Sequence, residues 1–360
     1  MVRSSRRAAL ARAGVAFGLV ALAACSADSP NVNAPPSSAN LAAVGDQSDL
    51  GAARAAQAKH QGRLMQDRDI LGTAIGRLND GRPEITVLAR NASAAARMPR
   101  ELDGIPVTVE VTGDITILPE VADAGPRARP GGGGGIKPTD YARPAYIGMS
   151  TGNANECASG TIGAKISKGG STVYALSNNH VFARENDAGA NEKIYQPGRY
   201  DLGCATGGQY EFATLNSFTP ISFNGNNKVD VALAAVNSGV TLNGSTPPGG
   251  YGSPSSTLAL ATVNLPVQKY GRTTGLTTGI VTGVNVTIRV QYTTGIATFV
   301  EQIQIRGDKG AFSRAGDSGS LIVTRPGNQP VGLLFAGGQT STFANTIQNA
   351  LQAVGGTIVP

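Results

Sequence analysis

The pentapeptide Gly316-Asp317-Ser318-Gly319-Ser320 constrains this chain more than any other feature, because it lies downstream of Ser177-Asn178-Asn179-His180-Val181 and of Val229-Asp230-Val231-Ala232-Leu233. A serine that attacks a carbonyl needs a histidine to take its proton, a carboxylate to orient that histidine, and backbone N–H groups to hold the oxyanion. The three residue types occur here in the order His, Asp, Ser, at intervals of 50 and 88 residues. Gly316 and Gly319 permit a tight turn in which the N–H groups of Gly316 and Ser318 point at one spot. Ser313 and Ser320 lack that framing.

Of the two histidines, His60 sits among Lys59, Gln61 and Arg63 and reads as a solvated surface residue, whereas His180 leaves a strand ending in Leu176-Ser177. Asp230 opens an apolar strand, which would bury it beside the barrel interface as an orienting carboxylate must be. Asp201, in the turn Gly198-Arg199-Tyr200-Asp201-Leu202-Gly203, is the alternative; Asp187, seven residues from His180, would have to fold straight back.

From residue 145 onward, short apolar runs are punctuated by Gly, Asn, Ser and Thr, an all-β signature. Runs 161–166, 171–177, 229–236, 279–290, 297–305, 320–324 and 331–335 are strand candidates, and only 342–354 has helix-like spacing. With no Trp and 5% aromatic residues, the barrels must pack mainly with Val, Leu, Ile and Ala. Residues 45–120 read instead as a small α+β domain. It has a helix over 52–65, strands over 70–77 and 83–89 joined through Asn79-Asp80-Gly81, a short helix over 92–98 stopped by Pro99, and a strand over 105–111. Residues 26–44 are a polar tether, and 121–140, with five consecutive glycines at 131–135, a flexible linker.

The region 141–360 resembles the chymotrypsin-like serine peptidases, which share the His, Asp, Ser order. Gly271-Arg272-Thr273-Thr274-Gly275 followed by Leu276-Thr277-Thr278-Gly279 is similar to the streptogrisin and α-lytic type. Leu176-Ser177-Asn178-Asn179-His180-Val181, Gln196-Pro197-Gly198 and Ala311-Phe312-Ser313-Arg314-Ala315-Gly316-Asp317-Ser318 together resemble bacterial trypsin-like peptidases related to the plant narrow-leaf proteins. The resemblance implies a double β-barrel that hydrolyses protein or peptide substrates without a cofactor. His180 would be base then acid, Asp230 its orienter and Ser318 the residue acylated. The usual Thr-Ala-Ala-His-Cys is Ser-Asn-Asn-His-Val here, so no disulfide forms beside the histidine.

Buried Asp317 needs a cation. Nothing in the chain resembles the Ile-Val-Gly-Gly start of animal relatives, and the streptogrisin-like pattern implies Arg272 in that role. It also implies a primary pocket near Phe312, Phe335 and Gly337, with no acid at its floor, favouring an apolar or small side chain over Lys or Arg. Leu102-Asp103-Gly104-Ile105-Pro106-Val107 resembles a region found ahead of the same peptidases, where it would be an intramolecular chaperone or inhibitor, or a plain spacer.

A net charge of +6 suggests nucleic acid, but Arg3, Arg6, Arg7 and Arg12 supply four of those charges before residue 25, and no Lys/Arg run interleaves with aromatics. No His/Cys cluster implies a metal and no glycine-rich phosphate loop a nucleotide. The basic start and the uncharged run 13–24, too short to cross roughly 30 Å of hydrocarbon, form an export signal over 1–25. Leu22-Ala23-Ala24-Cys25 resembles a bacterial lipobox, implying a lipid anchor on Cys25; an ordinary signal peptide is the alternative. Ser5-Arg6-Arg7 resembles part of a twin-arginine signal. With Cys25 lipidated, Cys157 and Cys204 remain as a disulfide pair flanking His180, contributing about 4 kcal/mol. A monomer is expected. A different function class also fits: a catalytically silent peptidase-fold lipoprotein that holds a partner.

Overall fold

Short apolar runs broken by turn residues become strands, and the strands of this chain close into two barrels. The computed structural model describes residues 49–118, 120–121 and 136–360. Cys25, the export signal, the tether and most of the linker lie outside the described residues.

The first barrel contains Ser150–Asn153, Ala158–Thr161, Ala164–Ser167, Val173–Ser177, Lys193–Tyr195, Glu211–Phe218 and Ala232–Val236. Ile162, Ala175, Phe182, Phe212 and Ala234 fill it. The expected strand over 161–166 is broken at Ile162-Gly163. A Cβ on Gly163 would stand 2.3 Å from the Gly319 carbonyl oxygen, so glycine here lets the two barrels touch beside the Gly-Asp-Ser-Gly turn.

The second barrel contains Pro266–Gly271, Gly275–Gln291, Ile296–Gly307, Leu321–Thr324, Pro330–Gly337 and Thr342–Thr346. Gly275–Gln291 and Ile296–Gly307 form one long antiparallel hairpin, from Gly279 opposite Gly307 to Gln291 opposite Ile296. The helical spacing over 342–354 yields a strand over its first part, because Thr342–Thr346 pairs with strands on both sides and that pairing overrides local preference. The helix proper is Ile347–Val354, with Ile347, Ala350, Leu351 and Val354 buried on one face and Gly355 left-handed at its end.

Ahead of the barrels stand the helix Gly51–Leu64, the hairpin Ile70–Arg77 and Pro83–Ala89, the short helix Ala92–Ala96, and Ile105–Val111 parallel to Pro83–Ala89. This sheet is not separate. Ile70–Arg77 pairs antiparallel with Gly275–Gln291, Gly72 facing Ile288 and Ile75 facing Val284. A Cβ on Gly72 would be 2.2 Å from the Thr287 carbonyl oxygen, so the approach requires glycine. The chain then crosses both barrels. Thr116–Ile117 pairs antiparallel with Pro330–Gly337, and Glu120–Val121 pairs antiparallel with Ala158–Thr161.

Candidate active site

The strand Val173–Ser177 delivers His180 onto a single helical turn, Asn179–Phe182, at the barrel junction. The two unusual asparagines fix that turn. Asn178 Nδ2 donates to the Asp230 carbonyl oxygen at 2.8 Å, and Asn179 Nδ2 to the Thr219 carbonyl oxygen at 2.8 Å. His180 Nδ1 meets Asp230 Oδ2 at 2.6 Å, with both side chains fully buried. The His180 backbone N–H reaches Asp230 Oδ1 at 3.3 Å.

A second donor to that carboxylate escaped the sequence reading. Tyr292, at the tip of the long hairpin, donates its hydroxyl to Asp230 Oδ2 at 2.7 Å. Burial first, and then the neighbouring Asp230 charge, push the Tyr292 hydroxyl well above its ordinary range, so it stays a donor. An aromatic residue 62 positions from its partner carries no local signal of this contact.

Gly316 and Gly319 both adopt left-handed backbone, φ +92° and +94°. Thr161 clamps the turn between them, its N–H donating to the Ser318 carbonyl oxygen at 2.7 Å and its hydroxyl to that of Gly316 at 2.8 Å. Ser318 Oγ donates to the Phe335 carbonyl oxygen at 3.3 Å. His180 Nε2 is buried with no hydrogen-bond partner among the described residues.

Asp317 is held differently from the expectation. Its Oδ1 accepts from the N–H groups of Thr273 (2.9 Å) and Thr274 (3.1 Å), and its Oδ2 from the Thr274 hydroxyl (2.7 Å) and the Arg314 N–H (2.9 Å). The cation beside it is Lys269, with Nζ 3.5 Å from Oδ2. Arg272 instead grips Asp201, Nε to Oδ2 at 3.0 Å and Nη2 to Oδ1 at 2.5 Å, while Ser150 Oγ donates to the same carboxylate at 2.6 Å. Strand alternation explains the lysine's placement. Lys269 and Gly271 share the face toward Asp317, where a Cβ on Gly271 would come within 2.6 Å of Oδ1, while Arg272, just past the end of that strand, lies along the turn, its Nη1 2.8 Å from where a Cβ on Gly316 would stand. Asp201 is thereby placed in its own ion pair, away from His180.

Phe312 and Phe335 are buried, Phe335 packing on Phe299 with ring centroids 4.7 Å apart. The Phe335 carbonyl reaches Ser318. Gly337 does face an occupant: a Cβ there would stand 3.1 Å from Leu118 Cδ1. The Gly316 N–H, one of the two expected oxyanion donors, donates to the Leu118 carbonyl oxygen at 2.6 Å. Cys157 and Cys204 are disulfide-bonded, Cα atoms 5.2 Å apart, tying the strand Ala158–Thr161 to the turn that carries Asp201.

Paired barrels with this turn at their seam are how a chymotrypsin-like serine endopeptidase is built. The family profile of trypsin matches residues 134–353, and the chain belongs to that family. Among solved structures, the chain is similar to a glutamic acid-specific serine protease with a histidine triad in substrate binding (22% identity, TM-score 0.43, covering 60% of this chain and 100% of that one). It is similar also to Protease A of Thermobifida fusca (20%, 0.42, covering 60% and 99%) and to a chymotrypsin of Cellulomonas bogoriensis (20%, 0.40, covering 60% and 98%). No curated protein matches.

Proposed function

We propose that this serine peptidase is exported and cleaves peptide bonds through an acyl-enzyme on Ser318, with His180 as general base then acid and Asp230 as its orienter. The buried 2.6 Å contact between His180 Nδ1 and Asp230 Oδ2 carries the reading, because it fixes which imidazole nitrogen remains for the serine proton. That nitrogen, Nε2, is buried without a partner among the described residues. Attack begins when the Ser318 hydroxyl turns from the Phe335 carbonyl to Nε2; the oxyanion then forms on the N–H groups of Gly316 and Ser318. His180 returns the proton to the leaving nitrogen, and water releases the acyl group. The Cys157–Cys204 bond supports an oxidising compartment, and the lipobox-like Leu22-Ala23-Ala24-Cys25 supports a lipid anchor on Cys25. A fluorophosphonate probe tests the chemistry: one adduct on Ser318, absent in Ser318→Ala and His180→Ala, with kcat lower by about 10⁴ in either variant. Equal peptidase activity in wild type and Ser318→Ala would refute it.

A further inference from the structure

Residues 116–118 and 120–121 pair with the two barrels as the two sides of a bound peptide would. Thr116 and Ile117 extend the sheet antiparallel to Gly337 and Ala336, the Leu118 carbonyl oxygen receives the Gly316 N–H at 2.6 Å, and Glu120 and Val121 pair antiparallel with Ser159 and Ala158 of the other barrel. A peptide poised for acyl transfer must make these three contacts: strand addition on the acyl side, carbonyl oxygen on an oxyanion donor, and a seat for the leaving side. The Leu118 side chain packs against the cluster that includes Val281, Phe312 and Leu334, and glycine at 337 leaves it room.

Contacts upstream hold the register. The Ile115 carbonyl oxygen accepts from the Gln291 N–H at 2.8 Å, and that of Thr112 from the Gln339 N–H at 2.8 Å. The Glu110 carboxylate accepts from the hydroxyls of Thr340 and Ser341 at 2.5 and 2.6 Å and from Gln304 Nε2 at 2.7 Å. Five donors on the second barrel thus fix where Leu118 falls.

Resting on the assignment of Ser318 as the nucleophile, we propose that Leu118 occupies the primary specificity pocket, that the enzyme cleaves extended segments after leucine, and that its own Thr116–Leu118 segment is the acyl side of a slow internal substrate. In the internal reaction Ser318 Oγ bonds to the Leu118 carbonyl carbon and its proton passes to His180 Nε2. The bond from that carbon to the nitrogen of the next residue, Pro119, then breaks as the proton moves to that nitrogen. Water hydrolyses the ester, leaving a Leu118 carboxylate and free Ser318. The pyrrolidine ring crowds the departing nitrogen and restricts the residue before it, which slows this turnover relative to a substrate with an ordinary amide there.

The test uses the full chain and its variants Leu118→Asp, Pro119→Ala and Pro119→Ala with Ser318→Ala. A charged residue is disfavoured in an apolar pocket, so Leu118→Asp should take up a fluorophosphonate roughly tenfold faster than wild type. Pro119→Ala should accumulate a fragment ending at Leu118 by intact mass, and the double variant should not. On Leu118→Asp, or on the cleaved Pro119→Ala product should that variant not fold, Thr-Ile-Leu anilide should exceed Thr-Ile-Lys and Thr-Ile-Glu anilides in kcat/KM by roughly 100-fold. Labelled protein that prefers the lysine or glutamate substrate, or Pro119→Ala that stays whole while hydrolysing peptides, would overturn the proposal and leave the Ser318 chemistry standing. No labelling of any form would overturn both.

Discussion

Lys269 and Asp317 are both fully buried, Nζ 3.5 Å from Oδ2, and Nζ also contacts the Thr274 hydroxyl and donates to the Gly275 carbonyl oxygen at 3.1 Å. Burial pulls the Lys269 ammonium below its ordinary range, and the Asp317 charge opposes that pull. The pair therefore neutralises the carboxylate of the Gly316–Ser318 turn from within the second barrel.

Lys269→Met should leave a buried carboxylate without its cation. Because four other donors remain on Asp317, the expected loss is about 3 kcal/mol, the low end for breaking a buried pair. Lys269→Met combined with Asp317→Asn should recover part of it. Denaturant titration of the three proteins decides; a double variant no more stable than the single would contradict the coupling.

Tyr292→Phe keeps the ring stacked on Phe299, 6.0 Å between centroids, and removes only the hydroxyl that donates to Asp230. We expect kcat to fall roughly tenfold with KM unchanged, the worth of one hydrogen bond to a charged group. Steady-state kinetics separates this from a packing defect, which would lower the melting temperature and leave kcat intact.

Glu192 sets an acid limit. Burial would raise its carboxyl, but the Arg184 guanidinium, the Gly189 N–H and the Asn153 amide overcome burial and hold it at about 2, against an ordinary 4.5. A depressed carboxylate stabilises fully above its unfolded value and loses that contribution as pH falls through the folded one. Unfolding free energy should therefore decline from pH 4.5 towards 2, and Glu192→Gln should flatten that slope and be less stable at pH 7. Thermal melts across this range would show parallel slopes if Glu192 were a bystander.

Replacing Cys157 and Cys204 with serine should cost about 4 kcal/mol by freeing a loop whose ends are 47 residues apart. Non-reducing peptide mass spectrometry of the wild type should find the two cysteines linked; a free thiol at Cys157 would contradict the pairing.

The motifs around His180, Asp230 and Ser318 were readable because each combines an apolar strand with a reactive residue at its end. The long hairpin was readable too, as two apolar runs over 279–290 and 297–305. Other parts were silent for physical reasons. The strand Pro266–Gly271 contains a lysine that looks like a surface residue until its partner is known. Thr116–Ile117 is too short to show periodicity, and its pairing depends on strands more than 150 positions away. Arg272 lies beside the turn but pairs with Asp201 and not with Asp317, because a motif fixes which residues are near the turn and not which carboxylate each one meets.

The continuity of Ile70–Arg77 with Gly275–Gln291 reaches beyond the site. Shedding of residues 49–118 would uncover the backbone edge at 284–288, an open template for another strand. Faster amide exchange at Val284, Thr287 and Ile288 in a chain lacking those residues would reveal it.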